Sequence, residues 1–203
     1  SASASFADVD VGDTLSYSMS GAPSSISISS TGAISGTPSN DDVGAYTITV
    51  TASDGTASAT DEFTLTVVNT NDAPTLSTPI ADASIDEDAG YSLDASGAFT
   101  DVDAGDTLTY SMSGAPASLS IDASTGAISG SPTNDEVGVH TITVTLTDLA
   151  GESASDSYDL TVVNTNDAPT VSTPIADASI DEDAGYSLDA SGAFTDLDAG
   201  DTL

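Results

Sequence analysis

The chain has 203 residues, with 33 Asp and Glu, one His, and no Lys, Arg or Cys, for a formal charge of −33. Such a surface excludes nucleic acid as a partner, since phosphate binding needs cations, and it disfavours docking to anionic lipid heads. Without cysteine there is neither a disulfide framework nor thiol chemistry.

In chain order, the periodicity is two rather than 3.6. Residues 47–51 alternate Thr with Ile48 and Val50, and 63–67 alternate Thr with Phe63, Leu65 and Val67. Further on, short strands are predicted at 80–85, 91–95, 107–112, 118–121 and 127–129. Two longer ones follow, at 141–147 (Ile142, Val144, Leu146) and 158–162 (Tyr158, Leu160, Val162). Turn signals separate them: Ser113-Gly114, Thr125-Gly126, Ser131-Pro132 and Glu136-Val137-Gly138. No stretch carries a helical apolar stripe. Hydrophobic residues make up 38% and alternate regularly, which argues against disorder despite the charge. No apolar run is long enough to span a membrane, so no membrane insertion is expected. The Ser-rich start lacks the basic and apolar regions of a signal peptide.

The chain repeats itself. Asp101–Pro116 (DVDAGDTLTYSMSGAP) matches Asp8–Pro23 (DVDVGDTLSYSMSGAP), and Asn164–Thr170 matches Asn69–Thr75. One turn changes length, Asp54-Gly55 becoming Asp148-Leu149-Ala150-Gly151, as loop tips tolerate. The repeat is about 95 residues. The expected organisation is a partial repeat at 1–71 without its first strand, a complete one at 72–166, and the start of a third at 167–203. The chain is thus read as a window on a longer array. About seven short strands per repeat, with turns every 8–12 residues or so, describe an all-β sandwich.

The acids fall into loops that recur in register. They are Asp86-Glu87-Asp88; Asp101, Asp103 and Asp106; Asn134-Asp135-Glu136; the turn acid Asp148; and the linker Asn71-Asp72-Ala73-Pro74. Their counterparts in the other repeats are Asp181-Glu182-Asp183, Asp196 with Asp198, Asn40-Asp41-Asp42, Asp54, and Asn166-Asp167-Ala168-Pro169. With no basic side chain to pair them, the carboxylates are solvated, protonated or bound to external cations. Calcium, a hard ion preferring oxygen ligands, is the natural one. In D-x-D-x-G-D, alternate residues point the same way and Gly105 permits a tight turn around an ion. An acidic surface adapted to salt is compatible with this reading.

These motifs resemble cadherin-type repeats, especially the dystroglycan-type cadherin-like and Ig-like domains of large bacterial surface adhesins. The resemblance rests on Asp101-Val-Asp103-Ala-Gly105-Asp106 running on to Tyr110, on the linker Val67-Val-Asn69-Thr-Asn71-Asp72-Ala-Pro74, and on Thr125-Gly126-Ala-Ile-Ser-Gly130-Ser-Pro132. It implies tandem Ig-like or cadherin-like β-sandwiches at the cell surface or outside the cell, with calcium held between successive repeats. The ligands it implies at the first junction are Asp41, Asp42, Asn71, Asp72, Asp101, Asp103 and Asp148. At the second they are Glu87, Asp135, Glu136, Asn166, Asp167, Asp196 and Asp198. The middle motif departs from the family's Asp-Arg-Glu, and Ala73 replaces a usual linker Asn, which implies fewer ions per junction.

The function expected is a calcium-stiffened structural repeat of an adhesin or extracellular fibre. Its partners are neighbouring repeats and other copies of the chain in a fibre. Completion of one chain's repeat by another is disfavoured by redundancy, since 189–203 repeats the content of 1–15. The alternative is a carbohydrate-binding module with a polysaccharide ligand, although the chain lacks Trp for a sugar platform. No enzyme is expected: the acids recur in each repeat, and the single His140 stands where the preceding repeat has Tyr46.

Overall fold

The computed structural model describes residues 5–10 and 12–198 and divides into two compact units. The first comprises residues 1–72 with 102–104, the second residues 73–101 with 105–203.

In the second unit, alternation builds the fold. Strand β13 (Gly138–Thr147) sends Ile142, Val144 and Leu146 inward and threonines outward. It pairs antiparallel with β14 (Ser153–Val163), which buries Tyr158, Leu160 and Val162. β10 (Thr109–Ser113) flanks β13, and β7 (Ala83–Asp86) runs parallel to β14, giving the order β10-β13-β14-β7. The opposing sheet is β11 (Leu119–Ile121), β12 (Ala127–Gly130) and β8 (Tyr91–Asp94). Leu119, Ile128 and Tyr91 from that sheet meet the β13 and β14 side chains in one core. The fold is therefore an all-β sandwich, as expected. The Tyr91 hydroxyl is accommodated inside by donating to that of Tyr158 at 3.2 Å, and Phe99 meets Tyr110 edge-on at 6.5 Å. Gly114 has a φ of 75°, and a Cβ there would collide with the Thr141 carbonyl oxygen, so the turn after β10 requires glycine.

Boundaries moved for identifiable reasons. The strand expected at 80–85 begins only at Ala83, because the Ile80 amide is taken by the Asp156 carboxylate at 2.6 Å. The strand expected at 141–147 starts at Gly138, since its pairing continues to Gly138 opposite Val162. Two-residue strands, β6 (Thr75–Leu76) with β9 (Phe99–Thr100) and β15 (Thr170–Val171) with β16 (Phe194–Thr195), are too short for periodicity to reveal.

The first unit repeats part of this plan. β1 (Ser16–Ser20), β4 (Gly44–Ser53) and β5 (Ser58–Val67) form one antiparallel sheet, and β2 (Ile26–Ile28) pairs with β3 (Ile34–Gly36). Ile48, Val50 and Ala52 are buried, but β5 is exposed along most of its length. Among the described residues, this unit has no counterpart of β7 or β8 to cover it.

A candidate cation site of buried carboxylates

Within the second unit, three acids from separate segments converge. Glu87 follows β7. Its amide donates to the Val163 carbonyl at 2.9 Å, and the next amide, of Asp88, donates to the Pro132 carbonyl at 2.7 Å. Asp88 adopts a left-handed φ of 57°, a conformation that Asp tolerates better than most residues. Asp167 belongs to the Asn166-Asp167-Ala168-Pro169 segment, and Asp198 follows β16. One carboxylate oxygen from each of Glu87, Asp167 and Asp198 lies within 4.8 Å of the others.

Backbone amides lock the arrangement. Thr165 N–H donates to Glu87 Oε1 at 2.7 Å, and Asp167 N–H donates to Asp198 Oδ2 at 2.7 Å. Asn134 Nδ2 donates to Asp167 Oδ2 at 3.2 Å. Glu87 is only 3% exposed and Asp198 6%. Their remaining oxygens, Glu87 Oε2 and Asp198 Oδ1, are buried and have no hydrogen-bond partner. A buried orphan oxygen costs several kcal/mol for a charged group, so such atoms need an explanation. Calcium fits these donors: it takes oxygen ligands at about 2.3–2.6 Å, and two ligands on opposite sides of one ion stand about 4.8 Å apart.

The other expected residues divide by position. In the second unit, Asp101 and Asp148 share a second cluster with Asp106, again within 4.8 Å. Asp148 also closes its own turn by accepting from the Glu152 amide at 2.8 Å. In the first unit, Asp72 N–H donates to Asp103 Oδ2 at 2.7 Å and Asn40 Nδ2 to Asp72 Oδ2 at 2.8 Å, the same pattern as around Asp167. Asp41 lines an open cleft there with Asn40 and Asp72. Asn71 and Asn166 hold their neighbours' carbonyls, and Asp196 accepts from the Asp198 amide at 3.0 Å.

Asp42 and Glu136 are turned to a different task. Each caps a short 3-10 turn: Asp42 accepts from the Ser39 amide at 3.1 Å, and Glu136 accepts from the Thr133 and Ser118 amides, both at 3.0 Å. Burial pushes the Glu136 carboxyl up, but these hydrogen bonds outweigh it and bring it down to about 2. The Asp42 carboxyl is likewise lowered, first by Ser25 and then by Ser39. Asp135 lies exposed on the same turn. The residue of this loop that reaches the cluster is Asn134. It was visible in the Asn-Asp-Glu triplet, but only the fold tells which member faces the linker. Asp106, the last acid of its D-x-D-x-G-D loop, was legible in that motif but stood outside the ligand set that the family resemblance implies.

Comparison with known proteins agrees with this architecture. A serine-rich adhesin for platelets from Staphylococcus aureus (strain MRSA252) is 34% identical over 163 residues, covering 79% of this chain and 11% of that protein. Its counterpart in strain MW2 is matched at the same identity, over 7% of its length. The chain thus spans about a tenth or less of these curated relatives. The solved structure of human mucin-like protocadherin EC1-2 superposes with a TM-score of 0.57 at 16% identity, covering 78% of this chain and 87% of that one. Mouse cadherin-23 EC22-24 gives 0.55 at 24% identity, covering 82% and 60%. The kinship with a surface adhesin places the chain at the cell surface or outside the cell. Among the described residues, no helix is long and apolar enough to cross a membrane. The family model for putative Ig domains, He_PIG, matches twice in tandem, at residues 1–68 and 73–163, and the chain accordingly belongs to that family.

Proposed function

We propose that this chain is a calcium-stiffened structural segment of an extracellular adhesin or surface fibre. The observation that carries the reading is the pair of buried, unpartnered oxygens on Glu87 and Asp198, two residues that converge with Asp167 in a chain without Lys or Arg. Two like charges about 4.8 Å apart repel by roughly 3 kcal/mol at an effective dielectric near 20. Three such pairs oppose closure of the cluster unless a cation balances them.

The mechanism follows from where the ligands come from. Glu87 belongs to the sandwich body, Asp167 to the linker, and Asp198 to the segment beyond it. An ion bound by all three ties the linker at both ends. Without it, repulsion opens the cluster and frees the linker to bend. Asn134 and the Thr165 amide orient two of the carboxylates and supply no charge. Adhesive ligands are expected to bind elsewhere in the parent protein, with these repeats holding them away from the cell.

Small-angle scattering tests the reading. The maximum particle dimension should be larger and sharply defined in calcium, and shorter on average and broadly distributed in chelator. Identical distance distributions in both conditions would sink it.

A further inference from the structure

The repeat at residues 73–163 has chain on both sides, so tension along the chain enters it at its first residues and leaves it at its last. The load first meets the two-residue pair of β6 with β9, which is too short to hold it. Behind that pair stands the contact between the repeat's opening and closing strands. β7 runs parallel to β14, with Ala83 to Asp86 against Leu160 to Val163. Load reaches β7 through its N-terminal end and β14 through its C-terminal end. In a parallel pair those two ends lie at opposite ends of the ladder, so the strands are pulled past each other. Every rung is strained at once, whereas an antiparallel hairpin pulled at its open end loses its bonds one by one.

The contact is longer than its ladder. Before it, Ile80 N–H donates to the Asp156 carboxylate at 2.6 Å, and Asp159 N–H donates to Asp82 at 2.8 Å. After it, Glu87 N–H donates to the Val163 carbonyl at 2.9 Å, and Thr165 N–H donates to Glu87 Oε1 at 2.7 Å. Bonds between the two segments therefore run from Ile80 to Glu87 on one side and from Asp156 to Thr165 on the other. Leu160 and Val162 are buried beneath the ladder, which shields its inner side from water. The opposing sheet of β11, β12 and β8 lies off the path of the load.

We infer that the β7–β14 pair is a load-bearing clamp, and that resisting tension along the chain is a function of this repeat in addition to stiffness. Forced unfolding is governed by the unfolding rate rather than by equilibrium stability. The clamp has to slide before the sandwich opens, so the barrier is crossed with the β7 rungs lost and the rest of the core intact. One extension rests on the calcium reading. Glu87 ends the clamp with both its amide and its carboxylate, so a cation that ties this carboxylate to Asp167 and Asp198 strengthens the clamp.

The test is pulling the full chain by its two ends at constant force, in calcium and in chelator. Opening the stretch from residue 83 to residue 163 lengthens the chain by roughly 270 Å, at about 3.4 Å per residue, which identifies the event. The Glu87 amide faces β14, so by alternation the Ala83 amide does too, while that of Ser84 faces the sheet edge. Proline removes a rung at the first kind of position and is tolerated at the second. At one load, Ala83→Pro should open roughly tenfold faster than the parent, the effect of one lost hydrogen bond. Ser84→Pro should stay within about twofold of the parent. Leu119→Ala, a core change in the opposing sheet, should weaken the repeat in denaturant yet open under load at the parent's rate. If circular dichroism shows Ala83→Pro unfolded, Asp156→Ala removes the bond to Ile80 instead and carries the same expectation. Rung-breaking variants that open at the parent's rate, or Leu119→Ala accelerated as much as they are, would overturn the clamp. Faster opening of the parent in chelator supports the cation's part. Equal rates with and without calcium, with the contrast between variants intact, uphold the clamp and remove calcium from it.

Discussion

Replacing Glu87 by Gln separates electrostatic from structural roles at the cluster, because the amide keeps the shape and an oxygen to accept from Thr165 N–H. In metal-free protein the substitution removes two of the three like-charge pairs, each worth roughly 3 kcal/mol before solvent relaxation. Even a fraction of that is large for a domain whose whole stability is about 5–15 kcal/mol. The variant should therefore melt higher than the parent in chelator. In calcium the order reverses. An ion at one hundred times its dissociation constant stabilises the parent by about 2.7 kcal/mol, or roughly 10–20 °C for a domain of about 100 residues. The variant, lacking a charged ligand, should lose most of that shift. Calorimetric melting of both proteins in chelator and in calcium measures all four values. A variant that melts below the parent in chelator while keeping the full calcium shift would refute the assignment.

Other predictions concern the scaffold. Leu146→Ala leaves a void at a fully buried position near the end of β13 and should cost about 2–5 kcal/mol in denaturant unfolding of the second unit. Tyr158→Phe removes the acceptor of the Tyr91 hydroxyl and should cost about 1–2 kcal/mol, while the fold survives, as Phe63 serves at the same place in the first unit. Gly114→Ala forces a side chain into the Thr141 carbonyl at a positive φ and should lower the melting temperature more than a surface Ser111→Ala control. Because the folded Glu136 carboxyl lies at about 2, below its ordinary 4.5, its contribution is full above pH 4.5 and is lost as pH falls toward 2. Acid titration of Glu136→Gln should accordingly show a shallower loss of stability across that window than the parent.

Much of the sandwich was legible because alternation over ten residues has one physical reading. Ile142, Val144 and Leu146 on one face and threonines on the other can only be a half-buried strand. The parallel pairing of β7 with β14 was not legible, since pairing partners far apart in sequence leave no local mark. The acidic clusters were visible as repeats, but their division of labour was not. Asn134 and Glu136 stand two residues apart, yet one reaches Asp167 and the other turns back to cap its own loop. That choice is set by the 3-10 turn, which composition does not reveal. The core position of Tyr91, Phe99, Tyr110 and Tyr158 agrees with their strand or strand-edge places in the sequence, and it removes those rings as candidates for a sugar platform.

The most direct test of the central claim is an experimental structure of the chain grown in calcium. The account predicts an ion among Glu87, Asp167 and Asp198, with oxygen distances near 2.3–2.6 Å and with Glu87 Oε2 and Asp198 Oδ1 among its ligands. Carboxylates splayed apart into solvent, with no ion between them at saturating calcium, would contradict it.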